Sequence, residues 1–356
     1  MIYLDFFADS YIPGVIIDRE KEQESIKEFL QNIIKGMNGV LCIYGKPGIG
    51  KTVVTKHVLN QFDELENAVS IYLNASALTP NLALKEIYEV VCGEDSRRLP
   101  SLSMVGEIAR KLLRKSVALA ITLDNFDRMS GIENLLWSIN HLTEGVGRVG
   151  LILISTSEFG IRAMVGGRLF SRLKPEFHEF KPYDAERLYE ILEHRIKQSY
   201  GKLIISSETL SKLCDFVTEE YDSNVRYLFR LFLNSADIAS RNGEKLIGLR
   251  VVEEIIEQEK QLILKSKLGE IKRNTPRMYE VLRIISELQN EQKIVYTGLI
   301  KERIRKRGLA ISERSLDYYL NNLESRGLIE LKNVRRGEGR TREIKLKISN
   351  EWISNS

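Results

Sequence analysis

The segment Gly45-Lys46-Pro47-Gly48-Ile49-Gly50-Lys51-Thr52-Val53 sets three glycines, a lysine and a hydroxyl at the spacing that wraps a polyphosphate. The glycines permit a tight turn whose backbone N–H groups point inward, and a helix opening at Lys51 adds positive potential at its N-terminus. Lys51 is placed to reach the β and γ phosphates of ATP or the β phosphate of ADP, and the Thr52 hydroxyl to ligate Mg2+. A second group lies in "AITLDNFDRM" (120–129), where an apolar strand delivers Asp124 to the sheet edge at which α/β proteins bind ligands. There Asp124 would hold Mg2+ through its water shell. Asn125 follows it, where nucleoside-triphosphate hydrolases commonly carry a glutamate that polarises the attacking water. An amide can position water but cannot accept its proton, so slow ATP hydrolysis is expected, and the sequence leaves open whether the chain is an ATPase at a useful rate. Asp127 is either a contributor to that chemistry or part of a polar strand-to-helix loop.

The elements that must position these groups are legible in the hydrophobic pattern. Residues 39–44, 68–73, 117–123 and 150–155 are near-continuous apolar runs, as parallel strands covered on both faces require, with amphipathic helical stretches between them. Residues 1–183 therefore read as a doubly wound α/β base. From 184 to 265 the strand signal gives way to helical periodicity, which predicts an all-α lid of four helices. Residues 266–275 show no clear apolar stripe and precede Pro276, and are expected to be a linker. The remaining 276–356 read as three helices and a hairpin, the outline of a winged helix-turn-helix. In the hairpin Leu328, Leu331, Val334, Ile344, Leu346 and Ile348 are the inward positions.

The chain has 356 residues, enough for two or three cores, and a formal net charge of +4. Residues 270–356 carry 19 Lys and Arg against 12 Asp and Glu, whereas the rest carries 34 against 37, so the end of the chain is the part suited to a polyanion. Cys42, Cys92 and Cys214 match no zinc spacing and read as buried thiols. No run is long enough to span a membrane and the first residues lack a signal-peptide layout, so a cytoplasmic protein is expected.

Within the last section Ser312 is a good N-cap for a helix able to enter a DNA major groove. Leu316, Tyr319, Leu320 and Leu323 form its inward face, leaving Arg314, Tyr318, Asn321 and Asn322 outward to meet phosphates and base edges. The wing "NVRRGEGRTR" gathers Arg335, Arg336, Arg340 and Arg342 around glycines, suiting phosphate or minor-groove contact. Double-stranded DNA is the expected partner; a protein-binding winged helix with a solvated basic face is the competing one. The run "KERIRKRG" (301–308) is either a solvated face or a source of further backbone contacts.

Phosphate loop, acidic strand, helical segment and winged helix, in this order, resemble the AAA+ ATPases of the archaeal and eukaryotic replication initiators, the origin-recognition and cell-division-control type proteins. The most specific stretch is 171–192, with Ser171 and Arg172 in a basic turn, then Phe180, Pro182 and Tyr183 before a lid helix. Arg19 and Glu20 match the pair that precedes the family's first helix. The resemblance implies that residues Val15–Ile17 border adenine, that Arg226 touches the γ phosphate from the lid, and that Arg168 or Arg172 is offered to a neighbouring subunit's nucleotide. Ser155, Thr156 and Ser157 stand where the family more often has an asparagine sensor, and Ser223 and Asn224 replace a Gly-Asp pair at the lid turn. The implied function is ATP-controlled recognition of duplex DNA at replication origins, nucleoid-associated, with self-association or other AAA+ subunits as partners. A regulatory nucleotide switch that scaffolds proteins, and a transposition or plasmid-maintenance ATPase, are the alternatives.

Overall fold

The computed structural model describes residues 4–95, 99–291, 294–336 and 339–354, and the chain divides into two compact units, Met1–Val252 and Glu253–Ser356. In the first, α1 (Glu20–Ile34), β1 (Gly39–Tyr44), α2 (Lys51–Asp63), β2 (Ala68–Asn74), α3 (Pro80–Cys92), α4 (Ser101–Lys115), β3 (Ala118–Asp124), α5 (Ile132–Gly145), β4 (Val149–Ser155), α6 (Glu158–Val165), α7 (Gly167–Leu173) and β5 (Glu176–Glu179) build the base. The five strands are all parallel, in the order β2-β3-β4-β1-β5. Every residue of β3 and β4 is buried, which is why both read as unbroken apolar runs. Leu119, Ile121 and Leu123 of β3 point into one apolar layer with α3, α4 and α5. Ala118 and Ala120 alternate into the other, with Phe29 and Ile33 of α1 and Val54 and Val58 of α2. β5, only four residues long and half-exposed, is the edge strand that the four apolar runs do not include.

Three helices follow, α8 (Ala185–Tyr200), α9 (Ser207–Glu220) and α10 (Val225–Arg241). Asp184, Ser206 and Asn224 cap them, each side chain accepting backbone N–H groups of the first turn. The next helix, α11 (Leu249–Asn274), is a single element of 26 residues. Residues 266–274 are thus helical where a linker was expected, and the division between units falls inside this helix. Leu264, Leu268 and Ile271 line its inward side at helical spacing, and the last two are buried. Five lysines and arginines around them dilute the stripe in sequence.

The second unit continues with α12 (Pro276–Glu291), β6 (Val295–Tyr296), α13 (Thr297–Lys306), α14 (Glu313–Ser325), β7 (Ile329–Arg336), β8 (Gly339–Leu346) and α15 (Asn350–Ser354). Its antiparallel sheet has the order β6-β8-β7, so the expected hairpin gains a two-residue third strand too short to show a period. Leu328, Ile344, Leu346 and Ile348 are buried as predicted, Leu331 and Val334 only partly, and Ile329 is a further core position. Among the described residues no helix is long and apolar enough to cross a membrane. The three cysteines are buried and free, and burial pushes the Cys42 and Cys214 thiols up to about 12.

Candidate functional site

The loop 45–50 leaves β1 at the carboxyl edge of the sheet and feeds α2, with Gly50 left-handed at the N-cap. A Cβ on Gly45 would stand 2.3 Å from the Phe180 carbonyl oxygen, so the loop can pass the end of β5 only without a side chain. Lys51 is buried at 8% exposure and its Nζ donates to the carbonyls of Gly45 and Lys46, at 2.6 and 2.7 Å. Burial pushes its pKa down to about 8, against the pull of Asp124. A phosphate in the loop would hold the ammonium in its charged form.

Thr52 Oγ1 donates to Asp124 Oδ2 at 2.6 Å, joining α2 to the end of β3 as a shared Mg2+ site requires. Tyr72 of β2 donates its hydroxyl to the same oxygen, a contact sequence reading missed because Tyr72 looks like one more strand residue. The Tyr72 phenol is pushed up by burial and by Asp124. Among the described residues no group of three or more His, Cys, Asp or Glu side chains could hold a metal alone. One hydroxyl and one carboxylate suit Mg2+, which completes its shell with phosphate and water oxygens.

Asn125 sits in the left-handed region at φ 54°, and its Nδ2 lies 3.4 Å from Asn74 Oδ1. Asparagine tolerates that backbone better than glutamate does, which is a conformational reason for the residue found here. Asp127 accepts from Ser155 Oγ at 3.1 Å, and Ser157 caps α6 by accepting from Gly160 N. Of the three sensor-position residues only Thr156 lines the cavity, as does Arg128, which was not anticipated.

The lid reaches the loop through residues 222–225. Val225 N donates to Gly48 O at 3.0 Å, Ser223 Oγ donates to Tyr183 O at 2.5 Å, and Lys46 pairs with Asp222 at 3.3 Å. Asp222 and Ser223 take left-handed conformations, and Asn224 Oδ1 caps α10. The Gly-to-Ser and Asp-to-Asn exchanges thus leave a formed turn. Arg19 is a buried hub: its guanidinium donates to Ile49 O and Lys181 O, pairs with Glu22 and lies 3.9 Å over the Tyr183 ring. Together these contacts fix the phosphate loop to the first helix and to the base-to-lid turn.

A cavity of about 330 Å³ runs between loop and lid. Pro47, Gly48, Gly50, Lys51, Thr52, Val53, Asp124, Asn125 and Arg226 line it, as do Val15, Ile16 and Ile17. Arg226 is half-exposed and ion-paired with Asp9 at 3.2 Å. Arg168 and Arg172 lie outside this wall, on α7. Arg172 pairs with Glu144 and stacks over Trp137, whereas exposed Arg168 makes no ion pair among the described residues.

In the second unit Arg314 and Tyr318 are exposed on α14. Arg342 is instead turned inward against α14, donating to Asn321 Oδ1 at 2.9 Å and pairing with Asp317, an acid that the outward set omits. Asn322 accepts from Arg326 Nε at 2.9 Å. Arg335 is exposed, and the side chains of Arg336 and Arg340 lie outside the described residues. In the run 301–308, Lys301, Arg303, Lys306 and Arg307 all pair with glutamates, so most of that charge is spent within the unit.

Residues 34–162 match the family model described as an AAA domain. An ORC1-type DNA replication protein of Methanothermobacter thermautotrophicus is 25% identical over 342 residues, 94% of this chain and 90% of the relative. The Aeropyrum pernix Orc1 protein, solved in complex with DNA, superposes with a TM-score of 0.60 at 23% identity, covering 98% of this chain and 94% of the other. The Aeropyrum pernix Orc2 protein, solved as ADPNP-ADP complexes, gives 0.62 at 20% identity over 98% and 96%. The chain thus contains a segment that matches an AAA domain, has the fold of the archaeal Orc proteins and is similar, along nearly its whole length, to ORC1-type DNA replication proteins.

Proposed function

We propose that the chain is an ATP-binding, duplex-DNA-binding replication initiator in which slow hydrolysis acts as a switch. The observation that carries the reading is the joining of Thr52 to Asp124 beneath the phosphate loop, in one cavity with Lys51 and the lid residue Arg226. Backbone N–H groups of residues 45–52, Pro47 excepted, and the Lys51 ammonium bind the phosphates; Thr52 and Asp124 would hold Mg2+, which would supply charge neutralisation. Arg226 exchanges Asp9 for the γ phosphate. Asn125 orients water without taking its proton, which keeps turnover slow. Arg168, unengaged on α7, is the better candidate to reach a neighbouring subunit's nucleotide.

The DNA surface comprises Arg314, Tyr318 and Arg335, with Arg342, Asn321 and Asn322 shaping the recognition face and Arg336 and Arg340 extending the wing. The relatives' name and the DNA held by the Aeropyrum pernix Orc1 structure support this reading, and with it a nucleoid-associated protein. Two binding measurements on the full chain test it. Lys51→Ala should abolish ATP binding, and Arg335→Glu should weaken duplex binding and flatten its salt dependence by about one counterion per lost phosphate contact. Unchanged ATP binding removes the nucleotide half, and unchanged DNA binding removes the other. The intramolecular engagement of Arg342 and of the basic run favours a protein-scaffolding switch as the second reading; partner capture without DNA affinity would select it.

A further inference from the structure

One buried cation in the nucleotide cavity has no role in the reading above. Arg195, on α8, is 8% exposed and lines the cavity together with Tyr11, Ile191, His194 and Phe229. Its guanidinium carbon lies 4.5 Å from the Tyr11 ring centre and 5.4 Å from that of Phe229. Two aromatic rings thus hold the group. Nη1 is buried with no hydrogen-bond partner, and among the described residues Arg195 forms no ion pair. Burial lowers its pKa, against the pull of the Tyr11 phenol. A guanidinium has five donors and no acceptor, and a buried unpaired donor is a group that a ligand can complete.

The position of Arg195 says which part of a nucleotide could do so. Val225 N bonds Gly48 O, so α10 begins at the phosphate loop, and Phe229 lies about one helical turn, roughly 5–6 Å, further along. Arg195 packs on Phe229, beyond the phosphate end that Lys51, the loop N–H groups and Arg226 already serve. Pro13, Val15, Ile16, Ile17 and Ile191 also line this cavity and supply apolar surface suited to a flat ring. We propose that Arg195 reads the base of the nucleotide, donating from its guanidinium edge to a ring nitrogen of a purine. This rests on the nucleotide reading of the cavity and adds to it a specificity-determining residue.

Equilibrium binding of ATP, 1-deaza-, 3-deaza- and 7-deaza-ATP and 2′-deoxy-ATP to the full chain tests the assignment. Each deaza compound lacks one ring acceptor and keeps the shape of the base. With the wild-type chain one of them should bind about tenfold or more weakly than ATP, as loss of a hydrogen bond to a charged donor predicts. Arg195→Met keeps an unbranched side chain between the rings and removes the donors; it should weaken ATP and bind the three deaza compounds and ATP alike. Equal binding of all three deaza compounds and ATP to the wild-type chain overturns the proposal, whatever the variant's stability. So does a loss confined to 2′-deoxy-ATP, which would give the donor to the ribose. Failure to bind ATP at all would remove the underlying nucleotide reading instead.

Discussion

The contact between Gly48 and the lid turn can be tested by adding one methyl group. A Cβ at residue 48 would stand 2.0 Å from Asn224 Oδ1 and 2.3 Å from its Cγ, and the residue is left-handed at φ +76°. That oxygen is not free to swing away, because it accepts from Arg226 N at 3.1 Å and Tyr227 N at 3.3 Å as the cap of α10. Gly48→Ala therefore costs about 1 kcal/mol for a left-handed alanine and about 1 kcal/mol for the displaced cap. Loss of the Val225–Gly48 backbone bond brings the sum to about 3 kcal/mol. For a unit of this size that is a fall of roughly 6–12 °C in melting temperature. Asn224→Gly alone should cost only a few tenths of a kcal/mol, since glycine is a tolerable cap. It also removes the atoms that the new methyl would strike. The double variant should then lose about 1.5 kcal/mol, leaving a favourable coupling of about 1.5–2 kcal/mol in thermal or denaturant unfolding without nucleotide. Losses that add to within about 0.5 kcal/mol would refute the packing described here.

Four further outcomes follow. Tyr72→Phe removes a hydroxyl donor from the buried Asp124 carboxylate and should cost about 1.5–3 kcal/mol of stability, read by denaturant unfolding, whereas a surface tyrosine change would cost almost nothing. Arg342→Ala should weaken duplex binding by exposing the charge of Asp317, and adding Asp317→Asn should recover part of it in an anisotropy titration. Arg172→Ala should lower the melting temperature through lost stacking on Trp137 while Arg168→Ala leaves it unchanged, and only the latter should impair any turnover that depends on a neighbouring subunit. Cys42 and Cys214 keep their protons to about pH 12 when folded but lose them near 9.0 when unfolded. The unfolded chain therefore binds fewer protons in that window, so their contribution to stability is complete below pH 9 and falls as pH rises towards 12. Native thiols should resist alkylation at pH 8 and react once denaturant is added.

What the sequence revealed depended on how locally each feature is encoded. The apolar runs of β1 to β4 are legible because both faces of a parallel strand are covered, and 45–52 because a phosphate loop has its own residue pattern. β5 and β6 escape notice since four and two residues carry no period. The inward stripe of α11 was hidden by Lys265 and Lys267 between Leu264, Leu268 and Ile271, and by Lys272 and Arg273 just after them. Side-chain partners lie furthest from the sequence. Nothing in "AVSIYLN" marks Tyr72 as the partner of Asp124, and nothing in the helix 313–325 reveals that Arg342 folds back onto Asn321 and Asp317. Such pairs join residues 21 to 52 positions apart, and only the folded backbone brings them together.

The left-handed turn at Asn125 carries a consequence for any substitution meant to place an acid there. Glutamate introduced there begins roughly 1 kcal/mol uphill before it meets any water molecule, because it lacks the short polar side chain with which asparagine offsets the cost of the left-handed backbone before the following 3-10 turn. Acid–base competence at this site is therefore an architectural property before it is a property of one side chain. A productive redesign would first have to change the handedness of the exit from β3, and only then the residue that leaves it.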